Sequence, residues 1–276
     1  MPHYIASLNS GSNGNCYYVG NDVEAVLIDA GISCRETERR LIRCGLSIEK
    51  VKAIFISHEH IDHIRGVEVL AKKYRLPVYI TKETLKYSGL ILEECLVKNF
   101  RADESIRIGG ICVTPFSKMH DASDPFSFTV ETNGKTTGVF TDIGSCCENV
   151  IRNFKLCDAI FLEANYDDEM LDKGAYPYYL KKRISGDRGH LSNAQALELF
   201  KNHKPDFMSH VLLSHLSKDN NNPDLVKELF EQHAGESFIT VASRYEESEV
   251  YKIGSGFEKS SSRKIRKSEG SQTSLF

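Results

Sequence analysis

The chain has no Cys-x-x-Cys pair, no apolar run of membrane-spanning length and no dominant sign of charge. Each absence excludes something. The eight cysteines (Cys16, Cys34, Cys44, Cys95, Cys112, Cys146, Cys147 and Cys157) lack the paired spacing of a zinc ribbon. They read as free thiols acting as small hydrophobes in a reducing compartment. A membrane span needs about 20 apolar residues in a row, and no stretch approaches that. Met1 to Asn15 is too polar for a signal peptide, so the expected location is the cytoplasm, away from membranes. With 35 basic and 38 acidic side chains the net charge is −3, which argues neither for nor against nucleic acid; such an enzyme needs only a local basic track.

What is present is enough to build a large core. At 276 residues and 41% hydrophobic content, the chain makes one large domain or two small ones. Apolar runs predict strands at 5–8, 17–19, 25–28, 51–56, 78–80, 105–108, 111–116, 126–131, 136–141, 159–163, 207–214 and 238–241. Helical spacing predicts helices at 35–44, 64–74, 82–87, 148–154 and 193–203, and between the last two strands. A further helical stretch covers 169–184, where Pro177 breaks or kinks it. Asn133-Gly134 predicts a hairpin turn. From about Gly254 onward Gly, Ser, Lys, Arg and Glu dominate, so a folded unit is expected over 1–253 and a disordered tail over 254–276.

The most informative segment is His58-Glu59-His60-Ile61-Asp62-His63, directly after the apolar run Val51 to Ser57. Imidazole and carboxylate are good donors for divalent first-row metals. A strand sends His58 and His60 to one side, by its two-residue side-chain period. The turn that follows aims Asp62 and His63 at a second position, so the segment serves two metals.

The pattern His58-x-His60-x-Asp62-His63 resembles that of the metallo-β-lactamase superfamily. That resemblance implies an α/β fold, a four-layer αβ/βα sandwich, and places the rest of a metal site. Asp29 matches the aspartate that buttresses the His-rich loop. His120 matches the third histidine of metal one, Asp142 the aspartate shared by both metals, and His215 a ligand of metal two. The implied sets are His58, His60, His120 and Asp142 on one ion, and Asp62, His63, His215 and Asp142 on the other. Ser10-Gly11-Ser12-Asn13-Gly14-Asn15, Glu163-Ala164-Asn165-Tyr166-Asp167, Gly189-His190-Leu191-Ser192-Asn193 and Leu213-Ser214-His215-Leu216-Ser217 resemble the WalJ/VicX (also YycJ) branch. That branch implies a cytoplasmic, metal-dependent 5′-to-3′ DNA exonuclease.

Two cations about 3.5–4 Å apart hold a bridging water as hydroxide and polarise a phosphoryl oxygen, with Asp62 orienting that nucleophile. The donor set contains no thiolate and suits manganese, zinc or iron. His190 is expected to bind the scissile phosphate or protonate the leaving oxygen, and Ser192 and Asn193 open a helix whose amides suit an anion. The plainer reading is that Ser192 only caps that helix. Ser12 and Asn15 belong either to a phosphate-facing loop or to an ordinary tight turn. Tyr176, Tyr178, Tyr179, Lys181, Lys182, Arg183 and Arg188 interleave aromatics with cations, as a single-strand channel does and as a solvated helix face also does. The last five residues, with Gln272, Leu275 and Phe276 as anchors, resemble peptides that dock on the bacterial β sliding clamp. Other readings are RNA processing, hydrolysis of a small thioester or lactone, and a non-catalytic metal-bound adaptor.

Overall fold

The computed structural model describes residues 2–254. The expected tail from 255 onward, with Gln272, Leu275 and Phe276, lies outside the described residues.

The first half of the chain forms strands β1 (His3–Asn9), β2 (Cys16–Gly20), β3 (Ala25–Ile28), β4 (Val51–Phe55), β5 (Val78–Tyr79) and β6 (Val97–Lys98). Its helices are α1 (Cys34–Arg43), α2 (Ile61–Ile64), α3 (Val67–Tyr74) and α4 (Lys82–Ser88). The second half forms β7 (Ile106–Ile108), β8 (Ile111–Ser117), β9 (Phe126–Thr132), β10 (Lys135–Phe140), β11 (Ala159–Glu163), β12 (His210–Ser214) and β13 (Phe238–Val241). Helices α5 (Glu148–Phe154), α6 (Asp168–Lys173), α7 (Tyr178–Ile184), α8 (Asn193–His203) and α9 (Pro223–Glu231) accompany them. Finally β14 (Tyr251–Ile253) returns to pair with β1.

The two sheets have the orders β14-β1-β2-β3-β4-β5-β6 and β13-β12-β11-β10-β9-β8-β7. Each is antiparallel at one side and parallel at the other, the change falling at β3 in one sheet and β10 in the other. Parallel strands are covered on both faces, so they read as unbroken apolar runs. In β11, Ala159 and Phe161 face the seam between the sheets while Ile160 and Leu162 face helices. Ile5, Tyr17, Phe55, Phe128 and Leu212 fill the same seam. Leu41 and Leu70 pack on the outer face of the first sheet; Phe154, Phe200 and Phe230 pack on that of the second. Helices, sheet, sheet, helices: the four-layer expectation is borne out.

Local chemistry sets the element ends. Ser33 caps α1, Ser192 and Gln195 form a capping box on α8, and Asn222 caps α9 with Pro223 at its first position. Both residues of the Asn133-Gly134 turn lie at positive φ, 55° and 70°, as a tight hairpin requires.

Three expectations need correction, and a fourth holds. The helix expected over 64–74 is broken at Gly66, because that residue packs on the backbone after β3: a Cβ there would lie 2.0 Å from the Ile32 carbonyl oxygen. The stretch 169–184 is two helices, with Pro177 preceding the second, which is the break expected at that proline. Strand β12 starts at His210, leaving Phe207 outside it and exposed. Strand β4 ends at Phe55, so the two-residue strand period does not place His58 and His60; the loop after it does. The short edge strands β6 and β14 were not expected, since two or three residues carry no measurable period.

Candidate metal centre and adjoining cavity

The centre gathers at the C-terminal ends of strands, most of them parallel, where α/β sheets place ligands. Asp29 follows β3, the loop Ser57 to His63 follows β4, His120 follows β8, Asp142 follows β10, Glu163 ends β11 and His215 follows β12. Asp29, Asp142 and His215 have φ of 60°, 54° and 56°. A non-glycine residue in that region costs on the order of 1–3 kcal/mol and persists only where its surroundings over-determine it. Here the sharp turn at each strand end brings the side chain to the shared centre. Gly31 permits another close approach, since a Cβ would fall 1.6 Å from the Asp62 carbonyl oxygen.

An accounting of ring nitrogens shows what the cluster is arranged to hold. His58 Nδ1 lies 2.9 Å from Ser57 Oγ, His63 Nδ1 is 2.7 Å from Asp29 Oδ2, and His120 Nδ1 is 3.0 Å from the Gly189 carbonyl oxygen. His215 Nδ1 is 3.1 Å from Glu163 Oε1. Each partner fixes its ring and leaves Nε2 for the centre, the usual arrangement behind metal-binding histidines. His60 presents Nδ1 instead, 3.0 Å from His58 Nε2. On the inner side, His63 Nε2 lies 3.1 Å from Asp142 Oδ2, and His215 Nε2 lies 3.5 Å from both Asp62 Oδ2 and Asp142 Oδ1. His120 Nε2, His215 Nε2 and Asp142 Oδ2 are buried without a hydrogen-bond partner. Unsatisfied buried polar atoms cost about 1–3 kcal/mol each, and a cation between them removes that cost.

Donor atoms of His58, His60 and His120 lie within 4.8 Å of one another, as do those of Asp62, His63 and His215 and those of His58, His63 and Asp142. These residues fit divalent metal ions. Glu163 also falls within reach of Asp142, His190 and His215, but its Oε1 faces Nδ1 of both histidines. Its role there is to accept hydrogen bonds and hold the rings.

Electrostatics agrees. Burial lowers the pKa of His60, drives His58 well below the ordinary value and brings His120 to about 3, leaving three neutral donors. Burial opposes charge on His63 and His215 too, but Asp142, Asp29 and Asp62 outweigh it and hold His63 well above its usual value. For His215, Asp142, Asp62 and Glu163 push it up to about 10. Conversely, although burial favours their neutral forms, His215 and His63 hold Asp142 well below the carboxylate range, and His63 and His215 lower Asp62. Four carboxylates thus share one pocket, and protons or cations must balance them.

Beside the cluster lies a cavity of about 220 Å³. His190 and His215 connect it to the centre; Tyr176, Leu180, Ile184 and Leu216 supply apolar wall, and Ser12, Arg183 and Ser217 polar wall. His190 is partly exposed here, with Nδ1 2.8 Å from Glu163 Oε1. Arg183 pairs with Asp121 at 2.5 Å.

The other expected substrate residues scatter. Asn15 is fully buried: its Nδ2 donates to Asp62 Oδ2 at 3.1 Å, and its Oδ1 accepts from the Gly11 amide and the Tyr17 hydroxyl. Ser192 and Asn193 are buried as well, the first as a helix cap and the second bonded to Asn221. Tyr179 and Lys182 are exposed on α7, with the Lys182 ammonium 5.6 Å from the Tyr178 ring centre.

Two residues were not singled out from sequence. Glu163 ends an apolar strand as a lone acid, just as Asp29 follows one, and that likeness was the available signal. Lys118 gave none: it is buried beneath the centre, its ammonium 2.6 Å from the Thr141 carbonyl oxygen, with a pKa lowered by burial against the pull of Asp142 and Asp29.

Comparison with known proteins agrees with this geometry. Residues 24–216 match the beta-lactamase superfamily domain. The metallo-β-lactamase-fold protein YhfI of Bacillus subtilis superimposes with a TM-score of 0.71 at 15% identity, over 91% of this chain and all of that one. Exodeoxyribonuclease YycJ of Bacillus anthracis is 35% identical over 254 residues, 89% of this chain and 94% of its own. Exodeoxyribonuclease WalJ of Streptococcus pneumoniae is 34% identical over 224 residues, 79% of this chain and 83% of its own. The chain belongs to the metallo-β-lactamase superfamily and, within it, to the YycJ/WalJ family.

Proposed function

We propose that this chain is a metal-dependent 5′-to-3′ exonuclease of DNA that hydrolyses phosphodiesters at its His/Asp centre. The observation that carries the reading is the convergence of His58, His60, Asp62, His63, His120, Asp142 and His215 beside a cavity whose wall holds His190. The names of the two relatives, both aligned over most of their length, supply the substrate class.

In this reading His58, His60, His120 and Asp142 hold one divalent ion, and Asp62, His63, His215 and Asp142 a second. Bound there, the two ions lower the pKa of an attacking water and stabilise charge developing on the phosphoryl group. Asp62, steered by Asn15, accepts a hydrogen bond from that water and fixes its direction. Asp29 holds the His63 ring and, through the Ser57 amide and hydroxyl at 2.8 Å each, the start of the histidine loop. As the water oxygen bonds to phosphorus, the P–O3′ bond breaks, and His190, oriented by Glu163, gives its proton to the departing O3′. The products are a 5′-mononucleotide and a strand ending in a new 5′-phosphate. With imidazoles and carboxylates and no thiolate, the donor set takes manganese, zinc or iron, the shared carboxylate favouring manganese.

The α7 face with Tyr178, Tyr179, Lys182 and Arg183 supports an approach for single strands. No helix among the described residues is long and apolar enough to cross a membrane, and we place the enzyme in the cytoplasm, in DNA repair or replication. Gln272, Leu275 and Phe276 would tether it to the β sliding clamp and raise its local concentration at DNA. Deleting residues 272–276 should abolish co-elution with the clamp; unchanged co-elution removes that partner.

The test is degradation of 5′- and 3′-labelled DNA and RNA single strands by the Mn²⁺-loaded protein. Release of 5′-labelled DNA as mononucleotides supports the reading. Preferential loss of RNA moves it to RNA processing, and intact nucleic acid to small ester substrates.

A further inference from the structure

Arg244 is the feature the reaction above leaves unused. It lies on the loop after β13, and that loop is tied down on several sides. The Ser10 amide donates to the Ser243 carbonyl at 3.1 Å, Asn13 Nδ2 to the Arg244 carbonyl at 2.7 Å, and Arg40 Nη2 to the Tyr245 carbonyl at 2.9 Å. Arg244 Nη2 reaches Ser12 Oγ at 3.1 Å, and Ser12 lines the cavity beside the metal centre. The guanidinium also acts electrostatically on the hydroxyl of Tyr176, another cavity residue. Its Nη1 is buried without a hydrogen-bond partner. Across the cavity Arg183 is neutralised by Asp121, whereas Arg244 forms no ion pair among the described residues.

We propose that this cavity seats the 5′-terminal nucleotide of the substrate, with its terminal phosphate bound at the Arg244–Ser12 end. The proposal rests on the nuclease reading and adds what makes the enzyme start at an end. Cavities for drug-sized ligands run to about 300–1,000 Å³, so 220 Å³ takes one small unit rather than a length of strand. A phosphate monoester carries about −1.5 to −2 charges at neutral pH, against one for an internal diester. A positioned guanidinium with N–H groups to spare is the side chain best matched to phosphate oxygens. The terminal phosphate at one end and His190 at the other would hold the first P–O3′ bond over the metal centre. Cleavage leaves a new 5′-phosphate on the shortened strand, so each turnover regenerates the group that the cavity selects.

The test uses the full-length, Mn²⁺-loaded protein on one DNA strand bearing either a 5′-phosphate or a 5′-hydroxyl, labelled internally. The expected result is a first cut at least ~10-fold slower on the hydroxyl strand, seen as a lag before fast degradation, by the energetics of an unpaired buried charge. In Arg244→Gln the ratio of first-cut rates should fall towards one because the phosphorylated strand slows; Arg244→Lys should recover part of it. A melting curve like that of the unaltered protein excludes misfolding. Should Arg244→Gln misfold, Ser12→Ala, which removes the guanidinium's anchor, should still narrow the ratio. Equal first-cut rates on both strands with the unaltered protein would overturn the pocket while leaving the exonuclease standing. An equal slowing of both strands in Arg244→Gln would overturn it too. No cleavage of either strand would remove the nuclease reading and the pocket together.

Discussion

The two halves of the molecule each commit one fully buried carboxylate to holding histidine rings beside the centre, and they use it differently. In the first half Asp29 divides its oxygens between the His63 ring and the Ser57 backbone and hydroxyl. It braces a loop made of metal donors and touches nothing in the cavity. In the second half Glu163 serves His215 and His190 through one oxygen and the Ile143 and Leu191 amides through the other. Both histidines line the cavity, and His215 also presents Nε2 to Asp62 and Asp142. Apart from Ser12, the cavity-lining residues belong to the second half. The first half is thus mainly a metal scaffold, and under the proposed function the second couples that scaffold to substrate.

This division can be broken by substitution. Asp142→Ala, at the junction of both halves, should reduce nuclease activity to background and lower the metal content of purified protein. His190→Ala should cost about 10²–10⁴ in kcat, the usual worth of a general acid, while metal content stays unchanged in elemental analysis.

Asp29→Asn and Glu163→Gln sharpen the comparison further. Changes behind metal ligands cost about 10–100-fold, but the two losses should appear in different measurements. Asp29→Asn should weaken metal affinity, read by chelator competition. Glu163→Gln should act chiefly on kcat, because it frees His190 as well as His215. Matching changes in both variants would erase the distinction between the halves.

The smallest effect concerns the seam between the sheets. His3 on β1 places Nε2 2.7 Å from Thr137 Oγ1 on β10, and burial lowers its pKa from 6.5 to about 4. The unfolded chain takes up a proton near pH 6.5, whereas the folded chain resists until about 4. The neutral ring's contribution is therefore complete above the unfolded value and is lost as pH falls towards the folded one. The shift corresponds to at most about 3 kcal/mol. Urea denaturation from pH 7 to pH 4.5 should show a decline that is shallower in His3→Gln.

The sequence displayed the metal scaffold better than the substrate side, for a physical reason. Metal donors are crowded into His58 to His63 or follow apolar strands, as Asp29, Asp142 and His215 do, and both patterns survive in one dimension. The residues that line the cavity are single positions brought together only by folding. Ser12 and Arg183 line the cavity, whereas Asn15, Ser192 and Asn193 are buried and bonded within the protein. Nothing in the linear pattern separates an exposed turn from one packed beneath Asp62. Arg244 and Lys118 carry no motif at all, since their meaning comes from Ser12 in one case and from the surrounding carboxylates in the other. Gly66 illustrates the same limit for the fold: its helical neighbours predict continuity, and only the backbone of Ile32 shows why the helix must break.

The most direct test measures metal stoichiometry and DNA cleavage together, by native mass spectrometry and release of 5′-label, for the unaltered protein, Asp62→Ala, His63→Ala and His190→Ala. The account predicts two divalent ions in the unaltered protein and in His190→Ala, fewer in Asp62→Ala and His63→Ala, and severely impaired cleavage in all three variants. Full cleavage by His63→Ala, or loss of metal from His190→Ala, would contradict the assignment of metal scaffold and substrate chemistry to these residues.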